Sequence, residues 1–366
     1  MKTIVVSGVN LRQGGTLAIL RDCLQFLSSE YVQNGWRVVA IVHNKKLCDF
    51  GGIEYIEIPD TIKSWARRLW CEYVTMNKIS KQLSPVSLWL SLHDTSPRVK
   101  AEKQAVYCQT SFPFYKSSIR DLFFNYKIVL FSHFTRFAYR INVHSNDYLI
   151  VQKSWLKEGL SALLGVEKNK FIVAPPQPSK IHVNPEKVEC QGYTFIYPAA
   201  PDCHKNFQVL CEAASRLESE IGVDKFSVLI TVSGGENRYT GWLKKQWGDV
   251  SSLHFVGFLS REQLYGYYQE ADCLVFPSKI ETWGLPISEF KSFGRPILAS
   301  KLPYAYGTAS GAAKVAFFNP DDPEELKEMM RLLVNGDDTF LNSMNKEIVQ
   351  EPVAHNWEEL FDYLLA

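Results

Sequence analysis

No stretch of this 366-residue chain approaches the ~20 consecutive apolar residues that a membrane-spanning helix requires. Even the aromatic run around 122–141 is broken by Lys127, His133, Arg136 and Arg140. The amino terminus, MKTIVVSGVN, lacks the apolar core and small-residue cleavage site of a signal peptide and reads as a buried first strand. The eight cysteines contain no CxxC pair, which argues against a disulfide framework and a zinc site and fits reduced thiols in the cytoplasm. The first loop, GVNLRQGGTLAIL, lacks the GxGxxG spacing of a dinucleotide fingerprint, which disfavours an NAD enzyme. No DxD metal clamp stands beside a strand; Asp321-Asp322, within PDDPEEL, reads as a helix start, and no metal or other cofactor is expected. Internal repeats and low-complexity tracts are also missing.

What is present is an alternation. Runs at 3–7, 37–42, 53–58, 86–92, 104–108 and 147–151 are apolar, β-branched and of strand length, with helix-like segments between them. Such alternation predicts an α/β fold with a parallel sheet covered on both faces. Residues 174–192 carry four of the 17 prolines and no sustained period, so they read as a linker. Beyond it the alternation restarts, with strands at 194–197, 226–232, 252–256, 272–276, 296–299 and 314–317 and helices over 205–218, from Ser260, over 284–293 and from Asp321. The predicted organisation is a Rossmann-like domain over 1–175, a linker over 176–192 and a second Rossmann-like domain over 193–350. A last helix over 351–366 is expected to cross back to the first domain.

The near-neutral total hides an asymmetry. Residues 1–180 hold 24 Lys and Arg against 13 acids, and the remainder holds 16 against 26. A basic half invites an anionic partner, such as a phospholipid surface or a pyrophosphate-linked acceptor. Two of its segments suit a headgroup region. In 62–74, Trp65, Leu69 and Trp70 stand among Lys63, Arg67 and Arg68; in 112–144, phenylalanines alternate with Lys116, Arg120, Lys127, Arg136 and Arg140. The alternative is that the aromatics are core and the cations lie at its rim.

The chemistry concentrates in 277–294, PSKIETWGLPISEFKSFG. A strand ends at Phe276, a loop carries Glu281, and Trp283-Gly284-Leu285-Pro286 opens a helix bearing Glu289, placed by this reading in its first turn. Free amides at a helix start, with the positive end of its dipole, seat a diphosphate. Two carboxylates accept hydrogen bonds from sugar and ribose hydroxyls. The plain alternative is a solvated loop glutamate and a favourable helix charge.

Residues 268–320 closely resemble the signature region of the group 1 (family 4) glycosyltransferases of GT-B fold. The resemblance rests on the E-x7-E pair Glu281 and Glu289, followed by Gly294-Arg295-Pro296 and the strand ILAS. It extends over HFVGFLSREQLYGYYQEADCLVFPS and PAAPDCHKNFQVLCEAASRL, and so over essentially the whole second half. It implies a GT-B fold of two Rossmann-like domains facing a cleft, and a retaining, metal-independent transfer from a nucleotide-sugar donor. Within that family the chain resembles bacterial surface-polysaccharide transferases of the O-antigen and capsule type. By resemblance Glu289 binds the ribose, Glu281 the donor sugar, and Trp283, Gly284, Leu285 and Pro286 the phosphates. Lys205 matches the phosphate-binding lysine, whose ammonium neutralises the departing diphosphate. Where relatives often carry an arginine, this chain has Pro198-Ala199-Ala200-Pro201, which leaves that place to His204, to Arg12 or to nothing.

In the first domain, Gly14-Gly15 resembles the glycine-rich first loop of the same family, although a plain turn with Thr16 as cap fits as well. The strand ends His93-Asp94 and Gln109 are the candidates for the contact with the donor sugar, Gln109 standing where relatives tend to carry a histidine. The expected partners are the donor, a saccharide acceptor on a lipid carrier and an anionic membrane surface at the inner face of the cytoplasmic membrane; nucleic acid is not among them. An epimerase or hydrolase of related fold, or a silent sugar-nucleotide-binding subunit, stays open.

Overall fold

The computed structural model describes residues 1–175 and 192–366. The predicted linker, but for Gly192, lies outside the described residues. The chain divides into two compact units: Met1–Pro113, His133–Pro178 and Val349–Ala366 form one, and Phe114–Ser132 with Ser179–Ile348 form the other.

In the first unit, β1 (Thr3–Gly8), β2 (Arg37–Val42), β3 (Glu54–Glu57), β4 (Leu88–Ser91), β5 (Lys103–Cys108), β6 (Tyr148–Val151) and β7 (Phe171–Val173) build one sheet. Its order is β3-β2-β1-β4-β5-β6-β7, with every pairing parallel. A parallel sheet is buried on both faces, which is why these strands are continuous apolar runs. Alternation along each strand sorts the side chains into two cores. Ile4, Val6, Val38 and Ala40 enter one, and Val5, Val39, Ile41 and Trp89 the other.

In the second unit, β8 (Tyr193–Tyr197), β9 (Phe226–Ile230), β10 (Leu253–Phe255), β11 (Cys273–Phe276), β12 (Ile297–Ser300) and β13 (Val315–Phe318) pair in parallel in the order β10-β9-β8-β11-β12-β13. In each sheet the strand order reverses beside the first strand, between β1 and β4 and between β8 and β11. Those are the topological switch points, where crevices open at the carboxyl ends of the strands.

Four features differ from the sequence reading. β7 and the helices Arg238–Trp247 and Pro303–Ala309 were not expected. β7 is three residues long, and Arg238–Trp247 starts from an Asn237 capping box rather than from an apolar periodicity. The boundary of the first domain also differs, because Phe114–Ser132 belongs to the second unit. There Phe124 packs against Tyr239 and Trp242 with ring centroids 5.3 and 5.2 Å away.

The C-terminal residues Val349–Ala366 belong to the first unit. Val353 bridges to Val173 beside β7, and Lys157 Nζ donates to the carbonyl of Glu351 at 3.1 Å. In the helix Trp357–Leu365, Phe361 is fully buried and stacks on Phe26 at 5.7 Å. Phe361→Ala is expected to lower stability by about 3–5 kcal/mol, read as a reduced midpoint of urea unfolding.

Candidate active site

The site of the second unit lies at its switch point. β8 and β11 are paired neighbours, with Phe195 opposite Cys273 and Ile196 opposite Leu274, so the loops that leave their carboxyl ends emerge side by side. The β8 loop turns through the short 3-10 segment Cys203–Lys205 and ends at Asn206, which adopts the left-handed conformation at φ 60°. This conformation directs the Asn206 amide across the crevice. Its nitrogen donates to the carbonyls of Pro277 at 3.0 Å and Pro320 at 2.7 Å. The Lys279 amide donates to the His204 carbonyl at 2.8 Å. Tyr197 Oη donates to the Lys205 carbonyl at 2.7 Å and Tyr304 Oη to the Ser278 carbonyl at 2.6 Å.

Braced in this way, the two loops bring Lys205 Nζ to 2.6 Å from Glu281 Oε1, with side chains only 15% and 13% exposed. An ammonium and a carboxylate thus share one shielded place. His204 does not supply a second cation there. Burial, reinforced by the Lys205 charge, pushes its imidazole down to about 3, so it is neutral. Arg12 is exposed in the first unit.

The helix bearing Glu289 runs from Leu285 to Phe290 after Gly284, whose φ of 80° ends the loop in a left-handed turn. Glu289 therefore stands in the second turn, one turn later than the sequence reading placed it. Pro286 has no amide proton, and the Ile287 amide donates to the Gly284 carbonyl at 3.0 Å. The donors for an anion at this helix start are correspondingly fewer. Trp283 is held by its indole nitrogen on Ser288 Oγ at 2.9 Å and by Thr308 Oγ1 on its carbonyl. Leu285 is exposed. Glu289 lies 3.4 Å from Tyr268 Oη and 3.5 Å from Arg261, and burial raises its pKa against the pull of that arginine. Tyr268, Arg261 and Asn206 were not anticipated. Asn206 was visible in the HKN sequence as a residue type that tolerates positive φ.

At the switch point of the first unit the residues close the crevice. His93 is fully buried. Its Nε2 lies 3.0 Å from Ser7 Oγ and 3.1 Å from Ser91 Oγ, while Nδ1 lies 3.0 Å from Thr95 Oγ1 and 3.4 Å from Glu72 Oε1. The buried Glu72 pairs in turn with Arg68 at 2.8 Å, and Arg68 also donates to the His93 carbonyl at 2.7 Å. The His93 ring, expected to contact the donor sugar, thus has both nitrogens engaged inside the fold. Asp94 Oδ1 accepts the amides of Gln109 at 2.5 Å and Thr110 at 3.0 Å, and Gln109 Nε2 donates to the Leu92 carbonyl at 2.6 Å. Asp94 and Gln109, expected at the donor sugar, thus brace the ends of β4 and β5 to one another. Burial raises the Asp94 pKa against these hydrogen bonds.

Gly14 and Gly15 open the helix Gly14–Phe26, whose N-cap position is Gln13 rather than Thr16 and carries no side-chain cap, and a Cβ at either would meet nothing within 4 Å. Gly14 has a φ of 65°, which favours glycine there. Among the described residues no cluster of three His, Cys, Asp or Glu is arranged to hold a metal ion, and no helix is long and apolar enough to cross a membrane.

This arrangement has known relatives. Residues 193–335 match the family "Glycosyl transferases group 1". They are a group 1 glycosyl transferase domain. The O-antigen chain mannosyltransferase RfbU of Salmonella typhimurium is 22% identical over 242 residues, covering 65% of this chain and 62% of that protein. The serotype-specific mannosyltransferase WbdA of Escherichia coli is 29% identical over 204 residues, covering 54% of this chain and 24% of that protein. The chain spans less than two thirds of the length of these curated relatives. Among solved structures, WaaG, a glycosyltransferase involved in lipopolysaccharide biosynthesis, superposes with a TM-score of 0.61 at 14% identity, over 91% of this chain and 90% of that one. The fold is GT-B. Lys205, Glu281 and Glu289 all lie within the group 1 glycosyl transferase domain.

The two buried imidazoles give a prediction about pH. Burial pushes His93 down to about 4 and His204 to about 3, whereas in the unfolded chain both take up protons below about 6.5. Between those values the unfolded state binds more protons. Stability is therefore full above about pH 6.5 and falls as the pH drops toward 4, by up to ~1.4 kcal/mol per histidine for each pH unit crossed. Urea midpoints of the parent protein at about pH 7 and about pH 5 should show this loss. His93→Gln should flatten the slope.

Proposed function

We propose that the chain is a retaining, metal-independent glycosyltransferase that moves a sugar from a nucleoside diphosphate sugar to a saccharide acceptor on a lipid carrier in surface-polysaccharide assembly. The observation that carries this reading is the shielded pair Lys205 and Glu281 at the switch point, with Glu289 on the adjoining helix. A diphosphate entering the crevice takes the Lys205 ammonium as its counter-charge, which frees the Glu281 carboxylate to accept hydrogen bonds from the hydroxyls of the transferred sugar. Glu289 accepts from the ribose. In the transfer, the acceptor oxygen bonds to the anomeric carbon on the face from which the phosphate oxygen leaves. The C–O bond to phosphate breaks, and the acceptor proton passes to that phosphate. Lys205 stabilises the negative charge that develops there. No side-chain base is required.

The O-antigen mannosyltransferases among the relatives support the polysaccharide setting and make GDP-mannose the first donor to test. The basic, aromatic segments support contact with an anionic bilayer at the inner face of the cytoplasmic membrane.

Thermal shifts against UDP, GDP, ADP and dTDP sugars are expected to single out one nucleotide, with about 2.7 kcal/mol of stabilisation at 100-fold its dissociation constant. Turnover of that donor should persist in EDTA and give a product of unchanged anomeric configuration by NMR. Lys205→Ala should lower kcat/KM by about 100-fold or more with the fold intact. A donor that is only hydrolysed or epimerised would favour the alternative enzyme classes. Unimpaired in vivo function of Glu281→Ala would favour a silent binding subunit.

A further inference from the structure

Beside the carboxyl end of β3 the first unit opens into a cavity of about 490 Å3, within the size range of small-molecule sites. The chain forms it by running from β3 through the 3-10 segment Pro59–Ile62 into the short helix Trp65–Trp70. Ile58, Asp60, Arg67, Trp70, Cys71 and Thr75 line it. Its walls are fastened to the loops that leave β1 and β4. The buried Thr61, also in the lining, donates from Oγ1 to the carbonyl of Val9, directly after β1, at 3.0 Å. Arg68, on the same helix as Arg67 and Trp70, donates to the His93 carbonyl beyond β4 at 2.7 Å and pairs with the buried Glu72 at 2.8 Å. The cavity therefore stands at the edge of the sheet where parallel α/β folds take their ligands.

The chemistry of this lining is amphipathic. Trp70 is 66% exposed and offers an apolar indole wall. At the rim the Asp60 carboxylate stands between Lys63 at 2.5 Å and Arg67 at 3.3 Å, so an acceptor of hydrogen bonds and a fork of donors lie side by side. A pyranose has the matching character, with a face of C–H bonds that lies flat on an aromatic ring and an edge of hydroxyls that both donate and accept. A small anion would meet the Asp60 carboxylate. A purely apolar ligand would strip water from Asp60 and Arg67 without replacing it. A bilayer takes side chains that protrude into it, whereas Trp70 here walls a cavity.

We propose that this cavity is a saccharide subsite, in which the Trp70 indole stacks on one pyranose ring and Asp60 and Arg67 share hydrogen bonds with its hydroxyls. The proposal rests on the transferase reading and deepens it. Lys205, Glu281 and Glu289, the handles for the donor, all belong to the second, donor unit, so the sugar held here is the acceptor's. β3 is two strands, roughly 10 Å, from β1 and its switch point. The ring in the cavity is accordingly one set back along the acceptor from the sugar that reacts, and longer acceptors gain a contact that a monosaccharide lacks.

Saturation-transfer NMR on the full chain without donor, with linear trisaccharides of α-mannose, α-glucose and β-glucose as probes, tests this without any need for sugar transfer. At least one trisaccharide is expected to bind the parent protein. Trp70→Ala should weaken that binding by about tenfold, the loss that follows when roughly 50 Å2 of apolar contact is withdrawn, while retaining the parent unfolding midpoint. Trp70→Phe, which keeps a ring, should bind more tightly than Trp70→Ala. Trp65→Ala, on the same helix but packed against Phe134 at 4.9 Å, should bind like the parent. The proposal is overturned if no trisaccharide binds the parent or if Trp70→Ala binds undiminished. It is equally overturned if Trp70→Ala keeps the sugar but loses affinity for anionic vesicles, which would assign the indole to a bilayer. Because the binding needs no donor, a chain that binds the trisaccharide but transfers no sugar sinks the enzymatic reading alone. Transfer with an acceptor KM unmoved by Trp70→Ala sinks the subsite alone.

Discussion

The ion pair between Lys205 and Glu281 is the contact on which the chemistry of the candidate site depends. Two opposite charges 2.6 Å apart with little access to water gain Coulomb energy but lose hydration, and the balance of such pairs is often near zero. Their placement accordingly depends on the scaffold. β8 and β11 are adjacent because the strand order reverses there, and the loops that leave them are held by Asn206, Tyr197 and Tyr304 through hydrogen bonds to backbone carbonyls. A lysine and a glutamate 76 positions apart in sequence are held in register by groups that never need to touch a ligand.

The two switch points show the same topology put to opposite uses. In the first unit, the crevice between β1 and β4 is filled by His93, with Ser7, Ser91, Thr95 and Glu72 around its ring. The ring is neutral and stabilising because burial keeps it so. In the second unit the equivalent place holds a cation and an anion that remain partly accessible. A neutral, hydrogen-bonded plug stiffens a sheet end, whereas a charged pair at the same position can exchange its internal partner for a charged ligand.

Much of this organisation was legible in the sequence because it is local. Buried parallel strands announce themselves as short β-branched runs, whereas the acidic pair after β11 stood out only through its resemblance to the group 1 glycosyltransferase signature. What escaped depends on distant neighbours. The burial of His93 is fixed by Ser7 and Glu72, 86 and 21 positions away in sequence, so no local pattern separates a ligand contact from a plug. The allotment of Phe114–Ser132 to the donor unit depends on Tyr239 and Trp242, which lie more than a hundred positions further along the chain. The turn assigned to Glu289 was wrong by one: the helix starts at Leu285 after the left-handed Gly284, and Glu289, four residues on, falls in its second turn.

On donor binding, Lys205 and Glu281 are expected to exchange each other for the donor. A crystal structure of the chain with an intact nucleoside diphosphate sugar tests it most directly. The account predicts the Lys205 ammonium on a phosphate oxygen, Glu281 on a hydroxyl of the transferred sugar and the ion pair between them opened. A donor bound elsewhere, with that pair still closed, would contradict it.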